Sequence, residues 1–291
     1  MDQYEKLMTE IYDELDKKDA YPQRAYYDLF VNNSKFDKLE EHSLWTYWQG
    51  RGVRHPKIMV VGQDWGSIKQ SEKYYEYIKK HPDAKVVSYE QIREENPGLV
   101  KSEFTTDKEL QRFFREYLGY PDICKNHYDD IYFTNLIPGY RDGKQSTGSS
   151  EEAQKGVTPR VIEDFKNILE MLKPEFVICL GRIVGESIAE AYDKKNAITS
   201  VGGFNEFLDV ELNKENPQPI ELDLGEGHHA KMFVISHLGS LGKANRKRYF
   251  NKKEIEKTVE SDWKVVGDYI GRYDDNRGSN IEDNRENIIN H

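Results

Sequence analysis

The stretch Lys57-Ile-Met-Val-Val-Gly-Gln-Asp-Trp-Gly-Ser67 decides how the rest of the chain is read. Its apolar run, Ile58 to Val61, is rich in β-branched residues and stops at Gly62. A polar, glycine-flanked turn follows. Such a run predicts a buried strand. Its C-terminal end delivers Gln63 and Asp64 to the edge where open α/β sheets bind ligands. A plain strand with an Asp turn residue at its exit would look the same. A second stretch favours the functional reading: Lys231-Met-Phe-Val-Ile-Ser-His-Leu-Gly-Ser-Leu-Gly-Lys-Ala-Asn-Arg246. It has the same design of strand, reactive side chain (His237), small-residue turn and then basic residues.

A chain of 291 residues can bury a sizeable core. Its 37% hydrophobic content and many aromatic residues mark it as globular. No apolar run approaches the ~18 residues of a membrane span, and the N-terminus lacks a secretory pattern. Two cysteines, Cys124 and Cys179, supply neither a disulfide framework nor a metal or cluster ligand set. Cys179 lies in an apolar run and reads as a core residue. A reducing cytoplasm is the expected compartment. The net charge of −10 argues against nonspecific coating of nucleic acid and leaves room for a protein partner. A local basic run still stands beside the second motif: Lys243, Arg246, Lys247 and Arg248, then Lys252 and Lys253. Most such runs are solvated surface; beside a site, this one predicts phosphate contact.

Helical spacing over 3–17 (Tyr4, Leu7, Met8, Ile11, Tyr12, Leu15) predicts an amphipathic helix. Aromatic residues between 20 and 56, Trp45 and Trp48 among them, are expected to pack the core edge. Thr106 and Glu109 have the spacing of a capping box. The helix after them carries Leu110, Phe113, Phe114, Tyr117 and Leu118 on one face and ends at Gly119. A second strand spans 130–136. A Gly-, Ser- and Lys-rich loop covers 138–156. Thr158-Pro159 starts the next helix with Pro at its first position. A third strand, 176–181, leads into a helix reaching about 193. A fourth strand covers 231–236, and a last helix covers about 252–270.

Four buried strands alternating with helices predict a three-layer α/β/α domain with a central four-stranded parallel sheet. It would span residues 1–271, with insertions at about 68–103 and 197–230. The first insertion suggests a lid and the second a hairpin. A polar, disordered tail would cover 272–291. The strand ends bring Asp64, Asn135, Gly181-Arg182 and His237 to one edge.

These residues resemble the uracil-DNA glycosylase superfamily. Gly62-Gln63-Asp64 is similar to that family's first motif, a strand followed by Gly-Gln-Asp-Pro-Tyr-His. Thr134-Asn135 resembles the strand carrying its base-reading Asn. Pro174 to Gly181 is similar to its third strand. His237-Leu-Gly-Ser-Leu-Gly242 resembles its second motif, His-Pro-Ser-Pro-Leu-Ser. The resemblance covers about 57–250, in the family's order. Trp65 replaces a Pro, Gly66 replaces a Tyr, and Leu238 and Ser240 replace the two prolines. An iron–sulfur branch shares the Gly, but its cysteines are missing here.

The resemblance implies a monofunctional DNA N-glycosylase that needs no metal or cofactor. Breaking the bond between a pyrimidine and its sugar leaves positive charge on the sugar and negative charge on the base. Asp64 would stabilise the cation and orient water, and His237 would donate to the base O2. The base must leave the duplex to be reached. Asn135 would read its edge, because uracil and cytosine reverse their donor and acceptor at positions 3 and 4. Gln63, Trp65 and Gly66 would line the base pocket. Phe104, before the capped helix, would stack on the base, although core packing suits it as well. Leu241 would wedge into the duplex, and Ser240, Lys243 and Arg246 would meet phosphates. Gly66 removes the wall that a Tyr raises against substituents at base C5. The expected target is uracil or a C5-modified pyrimidine, in DNA repair or antiviral defence.

Two other classes fit in part. One is a catalytically silent nucleic-acid-binding module on the same fold, favoured by the lost prolines. The other is a nucleotide hydrolase of doubly wound fold, disfavoured because no Gly-rich phosphate loop follows the first strand. The pair His228-His229 has no matched ligands nearby and reads as a loop feature.

Overall fold

A computed structural model of the chain describes residues 6–7, 10–11, 55–64, 105–123, 128–137, 156–255 and 257–273. The expected 68–103 insertion, the 138–155 part of the Gly- and Ser-rich loop and the 274–291 part of the tail lie outside these residues. So do Trp65, Gly66 and Phe104.

Among the described residues five strands form one sheet in the order β2-β1-β3-β5-β4. They are β1 (Ile58–Gly62), β2 (Ile131–Asn135), β3 (Phe176–Leu180), β4 (Ile220–Asp223) and β5 (His229–Ile235). The pairs β1–β2, β1–β3 and β3–β5 are parallel, and β4 runs antiparallel to β5. Every residue of β1, β2 and β3 is buried, as expected of parallel strands covered on both faces. The four expected strands are therefore present, but the sheet is not purely parallel. A fifth strand edges it, alternating buried and exposed residues because only one of its faces meets the core.

The 197–230 stretch is a hairpin only in its second half. Its first half is helical: α4 (Lys195–Thr199) overlaps its start and α5 (Phe204–Glu211) follows. Ile198, Phe207, Leu208 and Leu212 are buried there. The glycine pair Gly202-Gly203 separates the two short helices and hides their common periodicity.

Helices cover both faces. The registered residues Val60, Phe133, Ile178 and Phe233 project to one side. Helix α1 (Thr105–Tyr117) meets that side through Phe114 against Phe133, ring centroids 5.6 Å apart. Helix α7 (259–273) meets it through Tyr269 against Phe233 and Phe176. The two helices meet where Trp263, fully buried, stacks on Phe113 at 5.1 Å. A Cβ on Gly267 would lie 2.4 Å from the Tyr117 carbonyl oxygen, so the helix backbones approach too closely for any side chain there. On the opposite side α3 (Arg182–Ala191) approaches β5 through Gly185, where a Cβ would fall 2.6 Å from Val234. Helix α2 (Pro159–Leu172) starts as expected: Thr158 caps it by accepting the Val161 N–H at 3.2 Å, with Pro159 at the first position. Gly119, at φ 77, ends α1 as expected, and the Tyr120 N–H returns to the Phe114 carbonyl.

The expected 252–270 helix is two helices. Helix α6 (Ser240–Lys253) stops at Glu254, which takes a left-handed φ of 56°. The Ile255 N–H closes back on the Phe250 carbonyl at 3.0 Å. Helix α7 then begins after Thr258, whose N–H is accepted by the Ser261 hydroxyl.

Arg246 corrects a further expectation. It does not face phosphate: it is 0% exposed, on the inner side of α6. Its Nε and one terminal nitrogen donate to both Asp262 oxygens, at 2.9 and 3.1 Å. The same terminal nitrogen reaches Asp209 at 2.9 Å, and the guanidinium lies 4.3 Å from the Phe250 ring centre. One side chain thereby joins α5, α6 and α7. Arg246→Ala would leave Asp262 buried and unpaired. It should cost about 3–5 kcal/mol in chemical denaturation, while Lys247→Ala, on the exposed side of the same helix, should stay within about 0.5 kcal/mol.

Glu211 is a second buried polar group, 1% exposed at the end of α5. Strand β4 pairs along β5 only as far as Met232. The Val234 N–H lies beyond that point and donates to the Glu211 carboxyl at 2.7 Å. Burial pushes this carboxyl's pKa well up, the Val234 N–H opposes it, and nearby Asp262 adds to the rise. A raised folded-state pKa means that stability is lost as pH rises through it. Glu211→Gln keeps an acceptor and cannot ionise. Melting temperatures measured from pH 5 to 9 should fall less steeply toward alkaline pH in this variant than in the parent.

Candidate functional site at the sheet edge

The parallel strands end together. From β1 the chain crosses to β2 on one side, and from β2 it returns to β3 on the other. Connections that part in this way open a crevice at the strands' C-terminal ends. By register, Gly62 lies level with Asn135 and Leu180 with Ile235. Gln63 and Asp64 therefore leave β1 at the level where Gly181 leaves β3 and Ser236 and His237 leave β5. Two strand spacings, about 10 Å, separate the Asp64 and His237 backbones. Between them stands Gly181, which contributes no side chain.

Backbone hydrogen bonds carry the pairing past the strand ends. The Leu136 N–H donates to the Gly62 carbonyl and the Ile137 N–H to the Gln63 carbonyl, both at 2.9 Å. The Gly181 N–H donates to the Ile235 carbonyl at 2.7 Å. The loops that hold the polar residues are thus extensions of the ladder.

Asp64 is half-buried, and the Gln63 amide nitrogen donates to its Oδ2 at 2.8 Å. The donor half of Gln63 therefore positions the carboxylate instead of serving a base. Asn135 is 4% exposed, and its Nδ2 finds no hydrogen-bond partner among the described residues. An amide donor withdrawn from water in this way is costly unless something accepts from it. Its side chain lies on the sheet face that Phe133 shares with α1, beside Gly62.

His237 is exposed, and its Nδ1 accepts the Gly239 N–H at 2.9 Å. A ring nitrogen that accepts carries no proton, so in the neutral ring Nε2 is the donor. Three glycines shape this corner. A Cβ on Gly181 would touch the His237 Cβ at 3.6 Å. One on Gly239 would press on the ring at 2.9 Å, and one on Gly242 would lie 2.1 Å from the His237 carbonyl oxygen. The first turn of α6 can pack on His237 only because residue 242 lacks a side chain. The motif from His237 to Gly242 assigns Gly239 and Gly242 no role by itself; the spacing of small residues after His237 is the signal that marks this corner.

Ser240 and Leu241 open α6 at this edge, and only their helical backbone is described. Lys243 is one-third exposed and bridges to Glu109 of α1 at 3.2 Å. Its charge is shared with a protein carboxylate. Burial raises the pKa of Glu109, but hydrogen bonds and charge from Arg112 and Lys243 outweigh it and hold the carboxyl below its usual value. Arg112 also reaches Glu260 of α7 at 2.8 Å. The expected cap at Thr106 is displaced, since α1 already includes Thr105. Among the described residues no group of three or more His, Cys, Asp or Glu side chains is arranged to hold a metal.

The edge therefore gathers a carboxylate held by an amide, a buried amide with an unused donor, and an imidazole of defined tautomer. This set can stabilise a cation on one side of a bound group and an anion on the other. Gly242→Ala should force the first turn of α6 off His237 and cost about 1–3 kcal/mol, with a displaced His237 imidazole signal in NMR spectra. Gly271→Ala, in α7 with nothing described within 4 Å of the added methyl, should leave both unchanged. No protein-family model matches this chain, and no curated protein matches it in sequence.

Proposed function

We propose that this chain is a DNA glycosylase that hydrolyses the bond between deoxyribose and a flipped-out uracil or C5-modified pyrimidine. One observation supports this above the others. Asp64 and His237 follow the ends of separate parallel strands at one level, Asn135 ends β2 two residues before that level, and the Asn135 amide is buried with its donor unused among the described residues. An amide in that position suits a flat heterocycle that offers both an acceptor and a donor at its edge.

In the proposed reaction the C1′–N1 bond breaks and the base departs as an anion. Asp64, oriented by Gln63, faces the sugar cation and directs water to C1′. The water oxygen bonds to C1′, and its proton is lost to the carboxylate or to solvent. His237 donates from Nε2 to the base O2 as negative charge develops there. Fixed donors and charges of this kind act without reorganising during the reaction. The resemblance puts Gly66 where a Tyr would bar substituents at base C5, which is why modified pyrimidines stand beside uracil as targets. The product is an abasic site, and either repair or antiviral defence would use it.

The test is excision from duplex and single-stranded oligonucleotides carrying uracil, thymine mismatches, 5-hydroxymethylcytosine or glucosylated cytosine, with alkaline cleavage of the abasic product. His237→Ala should slow single-turnover excision by about 10²–10³-fold, and Asp64→Asn should slow it at least as much. DNA binding by both variants should persist. Intact DNA binding without excision of any base would instead identify a catalytically silent binding module.

A further inference from the structure

Helix α6 starts at the sheet edge beside His237 and runs from Ser240 to Lys253. Its inner side is occupied by Arg246 and Phe250, both buried. Its outer side presents Lys247, Arg248 and Lys252 with Asn245 and Asn251, all exposed. At 100° per residue these five side chains fall within one half of the helix surface. Arg248 and Lys252 stand one turn apart, about 6 Å along the axis. None of the three cations has a carboxylate at ion-pairing distance among the described residues. This contrasts with Lys243, Arg246, Lys166, Lys195 and Lys264, each of which is paired. The cationic stripe ends at Glu254.

Three neighbouring cations without counter-charge form a local positive stripe on a chain of net charge −10. Repulsion between them favours a polyanion over a single acidic side chain. From Gly242 onward the exposed side of α6 carries no large apolar residue among the described side chains, so this part of it lacks the face that lets a helix settle into a membrane surface. Asn245 and Asn251 add hydrogen-bond donors, as phosphate-binding faces do.

We propose that Lys247, Arg248 and Lys252 bind consecutive backbone phosphates of DNA and lead the strand flanking the target nucleotide away from the sheet edge along α6. This rests on DNA being the substrate, as proposed above, but not on any base being excised. It places the electrostatic contact on the outer side of α6, opposite to Arg246.

The experiment uses the full chain and an undamaged 20-base-pair duplex, with binding followed by fluorescence anisotropy across a salt series. Each phosphate neutralised contributes about 0.9 to the slope of log K against log salt. The triple variant Lys247→Gln, Arg248→Gln, Lys252→Gln should lower that slope by about two to three and weaken binding at least tenfold near 0.1 M salt. Glutamine keeps helix propensity, and circular dichroism would verify the fold. A second triple variant, Lys166→Gln, Lys195→Gln, Lys214→Gln, removes the same charge elsewhere and should leave the slope unchanged. An unchanged slope in the first variant, or an equal loss in the second, would overturn the stripe. A protein that excises bases yet binds normally without the stripe would refute this inference alone. A protein that excises nothing but loses binding with the stripe would uphold it and refute the glycosylase.

Discussion

The parallel ladder around β1 is the constraint on which the rest depends. β1 is paired on both sides, by β2 and by β3, and every one of its residues is buried. Its neighbours' ladders continue past their formal ends, through the Leu136, Ile137 and Gly181 amides. Residues that in other folds would sit on loose loops are held here by main-chain hydrogen bonds. The position of Asp64 relative to Asn135 is therefore set by strand register. A one-residue slip would turn Asn135 to the opposite face of the sheet. The aromatic packing of Phe133 and Phe233 against α1 and α7 opposes such a slip, because it would move those rings too.

Helix placement follows from the same frame. α1 and α7 meet through Trp263 and Phe113 and through the bare backbone at Gly267. α6 is fastened to α7 and α5 by one guanidinium. At the site end α6 also touches α1 through Lys243 and Glu109. The histidine corner is thus braced from three helices, and the imidazole takes its tautomer from the turn that the bracing holds.

The features legible in the sequence were those written in consecutive residues. Buried parallel strands read as short continuous apolar runs, so β1, β2, β3 and β5 could be located. Thr158-Pro159 and Gly119 marked real helix ends because capping is local chemistry. Placing polar residues at strand ends was enough to bring Asp64, Asn135 and His237 to one edge. What escaped depends on distant partners. Arg246 looks like part of a basic run, yet its partners Asp262 and Asp209 lie 16 and 37 positions away. The break at Glu254 needs a left-handed residue that is not glycine, which no composition rule flags. The antiparallel edge strand β4 is four residues long, too short for its alternation to stand out. Gly242 shows its purpose only when the carbonyl it packs against is seen.

The Glu211 carboxyl has a consequence beyond the pH dependence of folding. β4 stops short, so the outer margin of β5 would present an unpaired N–H at Val234. An open margin of that kind is a template for a strand from another molecule, and natural sheets guard against it. Here the guard is one side chain lent by a neighbouring helix instead of a charge, a proline or a bulge on the strand itself. Protection of this margin thus rests on a residue of α5, outside the sheet it covers.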